Sequence, residues 1–216
     1  PSARQCFLPV VLFAAACTPG PEGPAVTYVA DTSVAAYNDT PRFPPWLVEA
    51  LRGMNEPPLR GAKVPGEATV LRFTWSRSFH PDVSIRVKLT PASCEVITST
   101  ITHGRWLFGP PDARGAMPYV GITKGVQIRE DSVRVPASHC YRLDRQLDSL
   151  GIWASPSVGS RGLDGAEWFF ERVDGQSYRW AHQQSPRPGD GDALYHAGIA
   201  FLFLGRAFPD SLRKLY

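Results

Sequence analysis

The chain has 216 residues, 43% of them hydrophobic and 20% charged, with a formal net charge of +3. That length suffices for one domain with its own core, without metals or a dense disulfide framework. The small charge, with Lys and Arg scattered along the chain, excludes the basic footprint of a nucleic-acid binder.

The stretch CFLPVVLFAAACTPGPEG opens at Cys6. Its apolar run from Phe7 to Ala16 is too short for a hydrocarbon core of about 30 Å, which needs about 20 residues. It matches the h-region of an export signal, with Arg4 before it and Ala14-Ala15-Ala16 as the small residues before a cleavage site. Cys17 follows at once, as in the lipobox of bacterial lipoproteins, where the cysteine sulfur takes a diacylglycerol. Two other readings stand beside it: simple secretion, and a buried apolar segment with an ordinary core cysteine. The expected organisation is a signal peptide and lipobox over 1–17, a flexible tether rich in Pro and Gly over 18–42, and a single domain over 43–216.

FPPWLVEALRGM reads as a short helix. Pro44 and Pro45 suit its first turn, and Trp46, Leu47, Ala50, Leu51 and Met54 share a face. ATVLRFTW, VSIRVKL and CEVITSTIT read as three strands joined by tight turns. In VSIRVKL, Val83, Ile85, Val87 and Leu89 alternate with Ser84, Arg86 and Lys88, the pattern of an antiparallel sheet with one wet face. An irregular segment from His103 to Thr123 follows, then a strand in GVQIREDSVRV, bent or interrupted near Asp131. SHCYRLDRQLDSLG is a helix capped by Ser138, with Cys140, Leu143, Leu147 and Leu150 as its stripe and Gly151 as its stop. Trp168–Val173 and Ser177–His182 form a hairpin about Asp174-Gly175. DALYHAGIAFLFLG is a strongly apolar helix, too short for a membrane span. The order predicts an α+β fold: an antiparallel meander plus hairpin, with two or three helices packed on one face.

With Cys6 and Cys17 assigned to the leader, Cys94 and Cys140 remain. In an oxidising compartment they form a disulfide closing a loop of about fifty residues. The alternative is two free core thiols.

FTWSRSFHPDVSIRV and GLDGAEWFFERVDGQSYRWAHQQSP resemble the two signature stretches of an uncharacterised group of bacterial proteins, many of which look like small exported or lipid-anchored proteins. The matching residues are Trp75, Arg77, Phe79, His80 and Pro81, then Leu163, Asp164, Gly165, Trp168, Glu171, Gly175, Tyr178, Ser185 and Pro186. The resemblance implies a fold and export; it implies no activity.

No sequence motif for a metal, nucleotide or nucleophilic serine is present. His80, His103, His139, His182 and His196 lack ligand spacing, so neither metal nor cofactor is expected. Arg77, His80, Asp164 and Glu171 are the most suggestive polar set. If the two segments meet, these residues line a cleft for a carboxylate or amide, with His80 and a carboxylate as acid and base. The competing reading makes them turns and an ordinary Arg–Glu cross-strand pair. Trp75, Trp168, Tyr178 and Trp180 are either a stacking platform or core packing. Trp106 and Tyr119, on the long segment, are candidate recognition residues, since apolar side chains there need burial somewhere. The expectation is a cell-envelope lipoprotein held to the membrane by lipid on Cys17. It binds a protein, peptide or glycan through Arg77, Trp106, Tyr119 or Trp168, without catalysis and without nucleic acid. The alternative is a small envelope hydrolase using His80 with Asp164 or Glu171. A third reading, a cytoplasmic chain, would leave Cys94 and Cys140 reduced.

Overall fold

A computed structural model describes residues 45–77, 80–103, 106–108, 119–122, 126–154, 157–158, 165–175, 177–186 and 193–207. The elements run α1 (Pro45–Gly53), β1 (Thr69–Arg77), β2 (His80–Leu89), β3 (Cys94–His103), β4 (Trp106–Phe108), β5 (Tyr119–Ile122), β6 (Gln127–Val135), α2 (Ala137–Ser149), β7 (Ser157–Val158), β8 (Ala166–Asp174), β9 (Ser177–Gln184) and α3 (Ala193–Leu204). The leader, Cys17 and the tether lie outside the described residues.

The main sheet has the order β6-β3-β2-β1-β8-β9-β7. All its pairings are antiparallel except β7 with β9, so the predicted α+β class holds. The tight turns between β1, β2 and β3 produce the meander, and β8 then docks on the free side of β1. β6 is an edge strand whose Arg129, Glu130, Asp131 and Arg134 blunt edge-to-edge pairing. It runs without interruption at Asp131. The segment expected to be irregular contains the β4–β5 ribbon, with Trp106 opposite Ile122.

Leu71, Phe73 and Trp75 of β1, with Val83, Ile85, Val87 and Leu89 of β2, face α2 and α3 in one core. Cys140, Leu143 and Leu147 of α2 and Leu194, Ala197, Phe201 and Leu202 of α3 complete it. α2 begins at Pro136 with no side-chain cap, so Ser138 sits inside its first turn instead of capping it. The Cys94–Cys140 disulfide ties β3 to α2, with Cα atoms 6.3 Å apart. Arg172 of β8 adds ion pairs to Asp144 of α2 at 2.9 Å and to Asp174 at 2.8 Å. α3 approaches β8 closely enough that a Cβ at Gly198 would run into the Trp168 ring.

The other face is not wet. Leu47, Ala50, Leu51 and Met54 of α1 pack on Ile101 and Phe169, while Leu59, Val64 and Ala68 cover Val70 and Val173. α1 therefore lies opposite α2 and α3, and the helices do not all gather on one side. The alternation in VSIRVKL correctly separates the two faces, but Ser84 and Arg86 are buried beneath α1 and the chain that follows it.

Candidate functional site

Glu171 belongs to a buried ion layer on the α1 face. β1 and β8 pair with Arg72 directly opposite Glu171, and Arg72 Nε donates to Glu171 Oε2 at 2.6 Å. Arg86 Nη1 donates to Glu56 Oε2 at 2.6 Å, and Ser99 Oγ donates to Glu56 Oε1 at 3.2 Å. Tyr178 Oη donates to the second oxygen of Glu171 at 3.0 Å; burial and the Glu171 charge push the Tyr178 hydroxyl well above its usual range. Two guanidiniums meet two carboxylates here, so the layer is charge-balanced. α1 supplies Glu56 through its own stop. Asn55 takes a positive φ of 54°, the amide of Glu56 bonds Leu51 O, and that of Asn55 bonds Arg52 O, the Schellman arrangement that an Asn tolerates well.

Arg77 and His80 are directly paired where β1 turns into β2. The Arg77 guanidinium lies 3.8 Å over the Trp75 ring, and Arg77 Nη2 donates to Pro81 O at 2.9 Å. Asp164 lies outside the described residues. Glu171 does not join Arg77 and His80: Ala166 is the β8 residue opposite Arg77, so Glu171 sits about 17 Å further along the strand at the usual rise, on the α1 face. Trp168 is fully buried, edge-on to Phe73 at 5.4 Å between centroids and stacked with Tyr195 at 6.1 Å. It is core, and its ring is closed to a ligand. Trp106 and Tyr119 fall on β4 and β5, and their side chains lie outside the described residues.

Two groupings were missed in the sequence. The first is Asp82, Ser76, Glu167 and His182 on the α1 face. Ser76 opposes Glu167, and His182 Nε2 lies 2.5 Å from Glu167 Oε2 while its ring stacks on Phe169 at 4.1 Å. Burial pushes the Asp82 carboxyl up to about 7, against the opposing pull of bonds from Ser76 and the Arg77 amide and of the Arg77 charge. Asp82 sits in a stretch that reads as a turn, so only its burial in the folded chain reveals that it faces inward. Asp82, Glu167 and His182 do not assemble as metal ligands; among the described residues no cluster of His, Cys, Asp or Glu can hold a metal.

The second is a cleft of about 410 Å³ on the helix face, beyond the end of α3. Trp75, Arg77, Thr100, Arg129 and Asp131 line it from the sheet, and Arg206 from the end of α3. The register explains the assembly: Trp75 opposes Val83, Val83 opposes Thr100, and Thr100 opposes Arg129, so one row of side chains crosses four strands. α3 stops short of this row and leaves it open. Arg129 pairs with Asp131 at 3.1 Å, while burial lowers the Arg77 guanidinium to about 10, still cationic at neutral pH. Among the described residues, Arg77 and Trp75 are the sequence-predicted candidates that line the cleft.

No protein-family model matches the sequence, and no curated protein is detectably similar to it. Among the described residues no helix is long and apolar enough to cross a membrane.

Proposed function

We propose that this is a non-catalytic binding domain of the bacterial cell envelope, exported by residues 1–17, anchored by lipid on Cys17 and spaced from the membrane by residues 18–42. The resemblance of its two signature stretches to exported bacterial proteins belongs to the same reading. The Cys94–Cys140 disulfide supports it, since such bonds persist in oxidising compartments. The observation that carries the binding role is the cleft. Its volume lies within the range that suits small ligands, and Arg77 is stacked on Trp75 at its rim. The hydrolase reading has less to stand on, because both oxygens of Glu171 are already engaged, one by Arg72 and one by Tyr178. A peptide, a glycan or a protein loop remains the ligand class for this reading.

Two measurements test it. Mass spectrometry of native protein is expected to find the mature chain beginning at a diacylglyceryl-modified Cys17, and Cys17→Ser is expected to release the protein from membranes. An intact, unacylated leader defeats the anchoring. Separately, Arg77→Gln is expected to abolish ligand capture while leaving the thermal transition in place. His80→Ala and Glu171→Gln are the corresponding probes of hydrolysis; turnover lost in both, with the fold retained, defeats the non-catalytic reading.

A further inference from the structure

Three buried oxygens on the α1 face have no hydrogen-bond partner among the described residues: Thr74 Oγ1, Asp82 Oδ1 and Ser84 Oγ. Thr74 and Ser84 are fully buried, and Asp82 is 3% exposed. The fold places the three together. Thr74 and Ser84 are directly opposed on β1 and β2, where facing side chains stand about 5 Å apart. Asp82 lies two residues from Ser84 on the same strand and points to the same face, where it accepts a bond from Ser76. It is therefore the diagonal neighbour of Thr74, at about 7–8 Å along the sheet. The bonds that Asp82 accepts from Ser76 and from the Arg77 amide leave its Oδ1 unengaged among the described residues.

The side chains around these oxygens offer them little. α1 presents Leu47, Ala50, Leu51 and Met54 to this part of the sheet, and Phe169 is the β8 residue opposite Thr74. Ser99 lies opposite Ser84, but its hydroxyl proton goes to Glu56. Apolar residues of similar size would fill these positions if packing were the only demand. Buried polar side chains are almost always bonded, either to protein or to ordered water. Three such oxygens in one patch point to one shared partner. That partner is neutral. The Arg77 charge already acts on Asp82, and burial favours its protonated carboxyl, so the patch has little attraction for a cation. Hard cations also take about six oxygens or more.

We infer that α1 and the sheet enclose a buried water held by Thr74 Oγ1, Ser84 Oγ and Asp82 Oδ1. The water donates to Asp82 and to one hydroxyl, and accepts from the other hydroxyl. About three bonds is the usual number for an internal water. A water spans two bonds of about 2.8 Å each, which covers the separation between these side chains.

The test uses the full chain. A crystal structure that resolves ordered water is expected to show one water within hydrogen-bond distance of all three oxygens. Thr74→Val keeps the shape of the side chain and deletes its hydroxyl. If that hydroxyl bonds the water, the melting temperature is expected to fall by about 2–4 °C. If it has no partner, its removal relieves a penalty and the melting temperature rises, which overturns the site. A crystal in which Thr74 and Ser84 bond each other directly, with no water between them and Asp82, overturns it too. Sodium chloride and choline chloride at equal ionic strength separate water from a cation. Equal melting temperatures in the two salts are expected. A higher value in sodium chloride that disappears in Thr74→Val assigns the patch to a cation and overturns the water.

Discussion

The two faces of the main sheet are equally covered and held by different forces. Toward α2 and α3 the core contact is apolar, with the Arg172–Asp144 pair beside it: Phe73 stacks with Phe170 and leans on Phe201, and the disulfide fastens β3 to α2. Toward α1 the apolar contacts form two smaller clusters, and between them lies the Arg72–Glu171 and Arg86–Glu56 layer. An apolar face tolerates adjustment because its attraction is non-directional. A buried ion layer tolerates little, since each member needs its partner in place. The faces should therefore fail differently under mutation.

The sharpest break is Arg72→Met. It leaves Glu171 buried without its guanidinium, and the expected cost is about 3–5 kcal/mol. Arg72→Met combined with Glu171→Leu should cost less than the single change, because no charge is stranded. Urea unfolding at pH 7 measures both; a double variant less stable than the single would show that the layer contributes more than mutual neutralisation. On the helix face the counterpart is Cys94→Ala with Cys140→Ala. Opening a loop whose ends are 46 residues apart should cost about 4 kcal/mol in the chain-entropy model, with α2 loosening first and the ion layer intact. Hydrogen exchange on α2 and on β8 reports whether the two faces separate in this way.

Asp82 gives the α1 face a pH dependence that the helix face lacks at comparable depth. Its carboxyl is raised from 3.8 to about 7 by burial. A raised folded-state value favours the protonated form, so no penalty exists below the unfolded value. The penalty grows as pH climbs from about 4 to about 7 and is complete above that. Linkage sets its size at about 4 kcal/mol. Asp82→Asn removes the penalty but weakens the bond from Ser76, at about 1 kcal/mol, so the variant should gain about 3 kcal/mol over the natural chain at pH 8 and lose about 1 kcal/mol at pH 4. Denaturation midpoints across that range decide it, and parallel curves for the two proteins would rule out a buried titrating Asp82. Charged neighbours near this group are Arg77 and, across Ser76, Glu167 with its bound His182.

Much of the helix face was legible in the sequence, because periodicity reports which residues share a side. Val83, Ile85, Val87 and Leu89 were assigned together, as were Cys140, Leu143 and Leu147, and all are buried as a unit. Alternation does not report whether the opposite side is covered. Ser84 and Arg86 read as solvent-facing; they and Arg72 are buried because α1 and residues 56–68 fold across them, a long-range event with no local signature. The site suffered from the same blindness. Arg77 and His80 were correctly placed together, since a hairpin is local. Glu171 was added on sequence grounds and lies on the wrong face, while Arg129 and Arg206 join Arg77 only through the pairing of β3 with β6 and the end of α3.

The smallest effect tests how finely the apolar face is fitted. α3 crosses β8 at Gly198, and Ala there would place its methyl group inside the space of the Trp168 ring. Trp168 cannot retreat, being fully buried against Phe73 and Trp75, so Gly198→Ala should cost about 1–3 kcal/mol by overpacking even though alanine is the better helix former. Trp168→Phe shortens the ring at that point. It also removes a buried indole N–H that finds no hydrogen-bond partner among the described residues, which offsets part of the lost area. The pair Gly198→Ala with Trp168→Phe should therefore be more stable than the sum of the two single losses predicts, by about 1 kcal/mol. Strict additivity in that cycle would mean that α3 slides to accommodate the methyl. The apolar face would then be as adjustable at its closest contact as its chemistry allows, and the contrast with the ion layer would widen.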